Sequence, residues 1–242
     1  RRDASEGVAA EVANGIKNPL TWIRAALETR DGDKGEAQRD KLSSLLQNGV
    51  RRLDRLMTDI ANGARLDAEM SRDRPRLIDL NTLMADIVSV YETTGKPDEA
   101  RVELTPSSQP MRVLGRDGPI GQVFRNLIDN ARSFSPPGGV VQVTLDLPDT
   151  TERSLRVTVD DYGPGIPPEN LETVFERFYT SRPRGTAFGA NSGLGLSIVR
   201  QIVEAHGGTV QAENRLDDQG GVIGARFRVT LPAATVNAGR RA

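Results

Sequence analysis

The sequence contains no cysteine, and this absence excludes several kinds of chemistry. Its 242 residues include no cysteine, one tryptophan and a single histidine. Disulfide bonds, thiolate zinc sites and cysteine nucleophiles are therefore excluded, while a reducing cytoplasm is permitted. A chain of this length can bury a hydrophobic core in one or two domains without disulfides or a structural metal.

An excess of charge of either sign is also missing. Lysine and arginine total 32 against 33 aspartate and glutamate residues, which gives a net charge of -1. This balance gives no reason to expect nucleic-acid binding or a general attraction to anionic lipid. No apolar run is long enough to span a bilayer, and the start, RRDASEG, lacks the apolar core of a signal peptide. We expect a cytoplasmic fragment that reaches a membrane only through a missing upstream segment.

The first part of the chain has the apolar spacing of two amphipathic helices. Apolar residues recur at intervals of three or four from Val12 to Leu27 and again from Leu42 to Ile60, with the polar turn DGDKGE between the two runs. We predict an antiparallel helical hairpin over residues 1–70. A second copy would cover its apolar stripe and form a dimeric four-helix bundle through residues 8–68. The alternative is a stripe buried against the second domain of the same chain.

The remainder of the chain has a mixed pattern of helices and strands. The charged, proline-containing segment SRDRPR at residues 71–76 breaks the periodicity and is assigned as a linker. The predicted elements after it are helices near 80–91, 118–134 and 193–205, and strands at 140–147, 154–161, 208–214 and 222–231. This order predicts an α+β fold, in which the hairpin precedes an α/β-sandwich domain over residues 77–234. Residues 235–242 are predicted to be a disordered tail.

A long segment without periodicity interrupts the second domain. Residues 163–192 contain several glycines and prolines and no sustained helical or strand pattern. Segments of this length inside a compact domain are usually functional or disordered. We therefore predict a lid over a binding site.

Three short motifs follow one another in this domain and carry its candidate chemistry. They are Asn126-Leu-Ile-Asp-Asn130-Ala, Asp161-Tyr-Gly163-Pro-Gly165 and Gly193-Leu194-Gly195-Leu. Asn126 and Asn130 are four residues apart and share a helix face, where their carboxamide oxygens are ligands that Mg²⁺ accepts. Asparagine pairs of this kind also occur simply as solvated helix residues.

The other two motifs place glycines next to a carboxylate and at a helix start. Asp161 ends a predicted strand and can accept a hydrogen bond from an exocyclic amine, while Gly163 and Gly165 allow a sharp turn against a flat base. Gly193 and Gly195 open a predicted helix, whose unpaired N–H groups can bind phosphate. Each of these motifs alone is more often structural than functional.

A competing phosphate-binding loop of the P-loop type can be rejected. The only Gly-Lys pair, Gly95-Lys96, is followed by proline, and Val90 stands where that motif requires an earlier glycine. The chain is therefore not an NTPase of that kind.

Taken together, the three motifs resemble a known family. With the segment Glu176-Arg-Phe178-Tyr inside the predicted lid, their order and spacing resemble the N, G1, F and G2 boxes of the histidine-kinase catalytic domain. That domain is part of the ATPase superfamily shared with gyrase and the heat-shock chaperones. The resemblance implies ATP and Mg²⁺ as cofactors, with Mg²⁺ held by Asn130 and Asn126 and the adenine amino group read by Asp161. The further nucleotide-binding positions it implies are Gly163, Gly165, Phe178, Gly193, Leu194 and Gly195.

One departure from the family pattern lies beside the first motif. Many relatives carry lysine and tyrosine where this chain has Ser133 and Phe134. Phosphate contacts are therefore expected from the adjacent Arg132 or from the lid. The lid candidates are Arg177, Arg182 and Arg184.

The first predicted helix extends the resemblance over nearly the whole chain. Its sequence Glu11-Val-Ala-Asn14-Gly15-Ile-Lys-Asn18-Pro-Leu-Thr resembles the phosphoacceptor box His-Glu-Ile-Lys-Asn-Pro-Leu-Thr. With later stretches such as NSGLGLSIVRQIVEAHGG, it resembles the alphaproteobacterial ChvG/ExoS subgroup of sensor histidine kinases. The resemblance implies a homodimer, a response regulator as partner and a full-length protein in the inner membrane.

This helix departs from the family at the two residues that the chemistry needs most. In the family, the histidine attacks the γ-phosphate and the following carboxylate handles its proton. Here Asn14 is a poor nucleophile, and Gly15 has no side chain and costs about 1 kcal/mol relative to alanine in a helix. We therefore expect autophosphorylation to be lost or impaired. Asn18 aligns with the residue that orients water for dephosphorylating a response regulator, although it can also be read as a plain surface asparagine.

The single histidine does not replace the missing nucleophile. His206 lies at the end of a predicted helix within Ala-His-Gly-Gly, where a structural role is expected. Two functions then remain: a histidine kinase core that has lost its autokinase activity, or a non-catalytic pseudokinase scaffold that regulates a partner kinase or response regulator. An ATPase of the chaperone or gyrase branch is disfavoured because the long hairpin precedes the domain and no transducer domain follows.

Overall fold

The computed structural model describes residues 74–96, 98–147, 154–176, 179 and 195–234, together with three separate residues near the start. Those three, Thr21, Gln47 and Val50, are each helical, as the predicted hairpin requires. The remainder of the hairpin and the predicted tail at 235–242 lie outside the described residues. Within the described part of the chain, no helix is both long enough and apolar enough to cross a membrane.

Helices and strands alternate along the second domain. In the described part of the chain the elements are β1 (Arg76–Asp79), α1 (Leu80–Thr94), β2 (Arg101–Thr105), β3 (Arg112–Gly115), α2 (Asp117–Phe134), β4 (Val140–Asp146), β5 (Ser154–Asp160), α3 (Gly195–Ala205), β6 (Thr209–Leu216) and β7 (Val222–Pro232). The predicted helices and strands are all present, with bounds that differ by a few residues. Positions 193 and 194, where the third helix was predicted to begin, lie outside the described residues.

The main sheet has five strands in the order β2-β4-β5-β7-β6. Strands β2 and β4 are parallel, and the other neighbours are antiparallel. Along β4 and β5, buried residues alternate with half-buried ones, so one face of the sheet carries the core and the other is polar. The helices cover the apolar face, which confirms the α/β sandwich and its mainly antiparallel sheet.

Two helices contribute most of the covering layer. Helix α2 buries Phe124, Leu127 and Ile128, and α3 buries Val199 and Ile202. These positions recur at the helical spacing that the sequence pattern showed, because the faces that meet the sheet must be apolar. Helix α1 begins where the Asp79 side chain accepts hydrogen bonds from the N–H groups of Asn81 and Thr82.

Three short strands were not predicted from the sequence. Strands β1 and β3 form a separate two-stranded ribbon, in which Arg76 pairs with Gly115, and β2 lies at an edge of the main sheet. The prediction that residue 76 belongs to the linker is wrong, because Arg76 already begins β1 and forms an ion pair with Asp117. A four-residue strand is too short to show a reliable alternating pattern, which explains the error.

The first part of the predicted lid is packed into the domain. Residues Pro168–Asn170 and Thr173–Phe175 form short 3-10 turns. Phe175 is buried and meets Phe227 of β7 edge to face, with ring centroids 6.0 Å apart. The prediction of a lid over 163–192 is therefore wrong for Val174 and Phe175, whose side chains are buried in the core. Residues 163–173 are exposed or half-buried. Residues 177–178 and 180–194 lie outside the described residues.

Candidate nucleotide-binding site

The site is centred on a buried carboxylate at the end of β5. Asp161 is 2% exposed, and its Oδ1 accepts hydrogen bonds from the N–H of Gly163 at 2.8 Å and from the N–H of Ala225 at 2.9 Å. Both bonds go to Oδ1, so neither uses Oδ2. The carboxylate is therefore held in one orientation and can accept a further hydrogen bond through its second oxygen.

Burial dominates the protonation behaviour of this carboxylate. Removal from water raises the pKa of Asp161 above its ordinary value, while the two backbone donors and the nearby Arg215 act in the opposite direction. Raised carboxylate pKa values are common at functional sites because burial is what makes a carboxylate a strong acceptor for a ligand donor. The shift supports a ligand-binding role and also fits a purely structural buried acid.

The preceding residue, Asp160, has a different environment. Its two carboxylate oxygens accept hydrogen bonds from Arg226 Nε at 2.7 Å and Arg226 Nη2 at 2.6 Å, and Arg215 Nε lies 3.4 Å from it. The hydrogen bond with Asp160 is the main reason why the pKa of Arg226 is raised. Because neighbouring strand residues point to opposite faces, Asp160 lies on the polar face of the sheet while Asp161 faces the helices. Asp160 is therefore paired with arginine side chains, whereas the Asp161 carboxylate is bonded to backbone N–H groups.

The two glycines after Asp161 are required by the protein's own packing. A Cβ atom on Gly163 would lie 2.6 Å from the carbonyl oxygen of Phe134, at the end of α2. Gly165 has a φ of +76°, and a Cβ there would lie 2.4 Å from Val222 Cγ1. The prediction of a tight glycine turn is confirmed. The structure adds that the turn fits between α2 and the β6–β7 hairpin.

Helix α2 places the two asparagines of the first motif near the third motif. Asn126 and Asn130 are both half-buried on the same helix face, one turn apart. Asn126 Nδ2 donates to the carbonyl oxygen of Gly195 at 3.2 Å, where α3 begins. A Cβ atom on Gly195 would lie 3.9 Å from Asn126, which is ordinary contact. The side-chain nitrogen of Asn126 is thus used within the protein.

Arg132, which was expected to contact phosphate, is engaged elsewhere. Its Nε donates to the carbonyl oxygen of Ala100 at 3.0 Å, its Nη2 donates to Glu99 at 2.6 Å, and its guanidinium lies 5.1 Å from the ring centroid of Tyr91. Position 132 is two residues beyond Asn130, so it points to a different side of α2. The structure does not support the expectation for Arg132, which ties α2 to the loop before β2.

Several predicted site positions lie outside the described residues. Asn14, Gly15 and Asn18 of the first predicted helix are among them. So are Phe178, Gly193 and Leu194, together with the lid arginines Arg177, Arg182 and Arg184. The described positions form two groups: Asp161, Gly163 and Gly165 lie in one turn, and Asn126 contacts Gly195 one helical turn before Asn130. Gly163 lies against Phe134 at the end of the helix that carries both asparagines.

The single histidine has the structural environment that its sequence context predicted. His206 Nδ1 lies 2.7 Å from the carbonyl oxygen of Ile202, and its Nε2 is 3.2 Å from the backbone nitrogen of Arg116. A neutral ring that donates from Nδ1 and accepts at Nε2 satisfies both partners. His206 therefore links the end of α3 to the start of α2.

Sequence reasoning missed a residue that holds the acid loop. Asn214 of β6 binds both backbone groups of Ile166: its Oδ1 accepts from the N–H at 2.7 Å, and its Nδ2 donates to the carbonyl oxygen at 2.7 Å. A signal was present in the sequence. Val210, Ala212 and Asn214 occupy alternate positions of one strand, so an asparagine stands where the pattern requires an inward-facing apolar residue.

The fold and the site together define a class of protein. A mixed, mainly antiparallel sheet is covered by helices on one face, with an acid–glycine turn and an asparagine-bearing helix at one end. Residues 115–235 match the family of histidine kinase-, DNA gyrase B-, and HSP90-like ATPases, and the chain belongs to this family. The domain is therefore an ATP-binding domain.

Comparison with individual proteins narrows the class to sensor kinases. The chain is 44% identical over 241 residues to Sensor protein ChvG of Agrobacterium fabrum, a match that covers 97% of this chain and 40% of that protein. The chain thus spans well under half the length of this relative. The similarity confirms the resemblance to the ChvG-like sensor histidine kinases, and the chain carries the histidine kinase ATPase domain of a sensor kinase.

Solved structures support the same fold over most of the chain. The structure of histidine kinase ThkA in complex with response regulator protein TrrA matches with a TM-score of 0.66 and 25% identity, over 97% of this chain and 64% of that chain. Full-length ShkA in complex with AMPPNP matches with a TM-score of 0.59 and 25% identity, over 95% of this chain and 46% of that chain. The first of these structures is a histidine kinase, and the second was solved in complex with AMPPNP.

Proposed function

We propose that this chain is the cytoplasmic core of a two-component sensor histidine kinase that binds Mg-ATP, signals to a response regulator and has lost or impaired autophosphorylation. The observation that carries the nucleotide site is the buried carboxylate of Asp161, fixed through Oδ1 beside the glycine turn. An acceptor fixed in this way can take a hydrogen bond from the adenine amino group through Oδ2. The family match makes adenine the expected base.

The metal and phosphates would lie on the other side of the site. Asn126 and Asn130 supply carboxamide oxygens, which suit Mg²⁺ because that ion prefers hard oxygen ligands and keeps part of its water shell. Since Asn126 Nδ2 is already bonded to Gly195, its amide plane is oriented by the protein. The metal, when bound, supplies positive charge that offsets the charge of the phosphates. The start of α3 at Gly195, with Gly193 and Leu194 before it, would take the phosphates.

Autophosphorylation is expected to fail at the first predicted helix. Asn14 stands at the phosphoacceptor position, and its amide nitrogen is a poor nucleophile because its lone pair is delocalised. Gly15 stands at the position of the carboxylate that would handle the proton. Neither the nucleophile nor the base is present, whatever the quality of the nucleotide site.

Partners are proposed from the same resemblance. We expect a homodimer through residues 8–68 and a response regulator receiver domain as the signalling partner, as ThkA is found in complex with TrrA. Asn18 would orient water for dephosphorylating that regulator, a step that in some relatives does not require the histidine. From the similarity to Sensor protein ChvG, of which this chain spans 40%, we also propose that the full-length protein is held in the inner membrane.

A second candidate function is favoured by Asn14 and Gly15. In this alternative the chain is a pseudokinase scaffold, and nucleotide binding controls a partner kinase or response regulator without phosphoryl transfer by the chain itself. The nucleotide site is the same in both proposals. Only the fate of the γ-phosphate distinguishes them.

The test combines nucleotide binding with phosphoryl transfer. Fluorescent ATP is titrated into the chain, and transfer of labelled γ-phosphate is followed in the chain and in the double variant Asn14→His with Gly15→Glu. We expect binding by both proteins and labelling of the double variant alone. The matched control adds Asp161→Asn to the double variant and should abolish labelling.

Two outcomes would contradict the proposal. Absence of ATP binding by both proteins would remove the nucleotide site. Labelling of the unaltered chain would show that a different residue accepts the phosphate. Binding by both proteins without labelling of the double variant would favour the pseudokinase scaffold.

A further inference from the structure

The loop that carries Asp161 is attached to the sheet at both of its ends. Residues 161–166 leave β5 and pass over the end of the β6–β7 pair. In that pair, Asn214 of β6 lies directly opposite Ala225 of β7. Both ends of the loop are bonded to these two paired residues, as the distances show.

At its start, the loop is bonded to Ala225 by the main chain and by a side chain. The N–H of Asp161 donates to the carbonyl oxygen of Ala225 at 3.0 Å, and the N–H of Ala225 donates to Asp161 Oδ1 at 2.9 Å. Arg215, next to Asn214, adds a third bond from Nη1 to the carbonyl oxygen of Asp161 at 2.8 Å. The backbone and the carboxylate of Asp161 are therefore fixed to the sheet together.

At its end, the loop is bonded to Asn214 by a side chain. The carboxamide of Asn214 bonds both the N–H and the carbonyl oxygen of Ile166, each at 2.7 Å. In this way the side chain replaces the pair of bonds that a neighbouring strand would make. Asn214 also packs closely on the turn, since a Cβ atom on Gly165 would lie 2.8 Å from its Oδ1.

We infer that Asn214 is a positioning residue for the nucleotide site, which acts by holding the 161–166 loop so that Asp161 Oδ2 meets the adenine amino group. This inference rests on the proposed ATP-binding function. The geometry supports it because the backbone at the far end of the loop is held by the pair of bonds from Asn214, while the side chain of Ile166 packs against the core. Without them the glycines would leave the turn free to move, and ATP binding would have to restrict it again.

The residue type at position 214 follows from this geometry. An asparagine both donates and accepts across a fixed span, so it can bond an N–H and a carbonyl oxygen of one residue at once. Aspartate at this position would keep the acceptor but place a carboxylate oxygen beside the carbonyl oxygen of Ile166. Alanine would remove both bonds.

The experiment measures base selectivity as well as affinity. Dissociation constants for ATP and for inosine triphosphate, which has a carbonyl oxygen in place of the 6-amino group, are determined for the chain and for Asn214→Ala, Asn214→Asp and the control Gln211→Ala. The control removes an exposed carboxamide from the same strand. We expect Asn214→Ala to weaken ATP binding about tenfold, with a smaller effect on inosine triphosphate, so that selectivity narrows. Gln211→Ala should change neither constant by more than about twofold.

Hydrogen exchange separates positioning from general stability. In the chain without nucleotide, the amides of Gly163 and Ile166 should be protected, and Asn214→Ala should remove protection at Ile166 while strands β5 and β7 keep theirs. If Asn214→Ala does not fold, Asn214→Asp is compared by its ATP and inosine triphosphate dissociation constants instead, because it keeps the acceptor for the N–H of Ile166 and loses only the donor to the carbonyl oxygen.

Each result supports the inference or overturns it. Lost protection at Ile166 together with unchanged ATP affinity and selectivity would overturn the positioning role and leave the proposed function intact. Equal weakening of ATP and inosine triphosphate would show a purely structural role. Failure of the unaltered chain to bind ATP would overturn the proposed function, and this inference with it.

Discussion

The two sides of the proposed nucleotide site, a base side at Asp161 and a phosphate side at Asn126 and Asn130, are held by different kinds of interaction. On the base side, Asp161 is buried and hydrogen-bonded to Gly163, Ala225 and Arg215. On the phosphate side, Asn126 and Asn130 are half-buried, and Asn126 is bonded to Gly195 at 3.2 Å. The base side is therefore fixed by the sheet, whereas the phosphate side depends on the packing of α2 against α3.

This difference teaches which part of the site is formed before the ligand arrives. Buried hydrogen bonds to backbone groups are costly to break, because each leaves an unsatisfied polar group behind. The base side should thus have the same structure with and without nucleotide. The proposed metal site should respond more to its ligand, since its carboxamides are only half-buried and Mg²⁺ would be held partly by its own water and by the phosphates.

The largest expected effect is loss of the fixed acceptor. Asp161→Asn keeps an oxygen for the N–H groups of Gly163 and Ala225 but places an NH₂ group where Oδ2 faces the base. Two donors then meet, so we expect ATP affinity to fall about 100-fold, or ~2.7 kcal/mol. The measurement is a fluorescence titration, with the exposed Asp218→Asn as control. An affinity within twofold of the unaltered chain would show that the base side is assigned wrongly.

The next effect concerns the glycine turn on the same side. Gly165→Ala introduces a side chain at a φ of +76° and a contact of 2.4 Å with Val222. We expect it to lower the free energy of unfolding by about 2 kcal/mol or more. Gly220→Ala is the matched control, because Gly220 has a φ of +82° and nothing within 4 Å of the added Cβ. If urea unfolding shows the same loss of unfolding free energy for Gly165→Ala and Gly220→Ala, the close contact with Val222 does not destabilise the fold.

On the phosphate side, the expected effect depends on the metal. Asn130→Ala should weaken ATP binding about tenfold when Mg²⁺ is present and change it little when Mg²⁺ is chelated. Titrations with and without Mg²⁺ measure the difference. Asn81→Ala is the comparison, since that asparagine is bonded to backbone groups of the 106–110 loop. Equal weakening with and without the metal would argue against a metal ligand.

The protonation of Asp161 makes the base side sensitive to acid. Its carboxylate must be ionised to accept the adenine amine, and burial raises its pKa, so ATP affinity should begin to fall at a higher pH than for an ordinary aspartate. The affinities for ATP and inosine triphosphate are measured as a function of pH. Their ratio cancels any pH dependence that comes from the phosphates, which both nucleotides share. If this ratio stays constant down to the pH at which an ordinary aspartate titrates, the predicted role of the raised Asp161 pKa is wrong.

The raised pKa of Asp161 also affects the stability of the fold. Acid should weaken ATP binding, but it should favour folding through this group. Because the folded state binds the proton of Asp161 more tightly than the unfolded state, this group favours folding below its unfolded pKa. That contribution is lost as the pH rises through its folded pKa. The difference in unfolding free energy between the chain and Asp161→Asn should follow this direction.

The smallest expected effect on the site is at Arg132. Because Arg132 is bonded to Ala100 and Glu99, Arg132→Ala should leave ATP affinity within about twofold. The free energy of unfolding should fall by about 1 kcal/mol, since the carbonyl oxygen of Ala100 loses its donor. If Arg132→Ala keeps normal stability but loses much of its ATP affinity, Arg132 does contact the phosphates.

The sequence predicted the long elements of the domain and missed the short ones. Helices α2 and α3 have apolar faces that repeat over several turns, so their periodicity is clear. Strands β1 and β3 have four residues each, and their partners are each other rather than the main sheet. Such short strands form because they pair with a strand that is distant in sequence, and a local sequence pattern does not predict that pairing.

The site shows the same division at the level of single residues. The order of the motifs identified Asp161, its glycines and the asparagines of α2. It could not show that Asp160 is paired with Arg226 while its neighbour Asp161 is bonded to the backbone N–H groups of Gly163 and Ala225. It also gave Arg132 a phosphate role, because adjacency in sequence does not reveal which side of a helix faces the site.

By itself, the sequence determined the family and the α/β sandwich, since motif residues and periodicity are local properties. Only the tertiary structure decided that the Asp161 loop is bonded at both ends to Ala225 and Asn214. Those bonds join residues about fifty to sixty positions apart, and hydrogen bonds over such separations depend on how the whole sheet pairs.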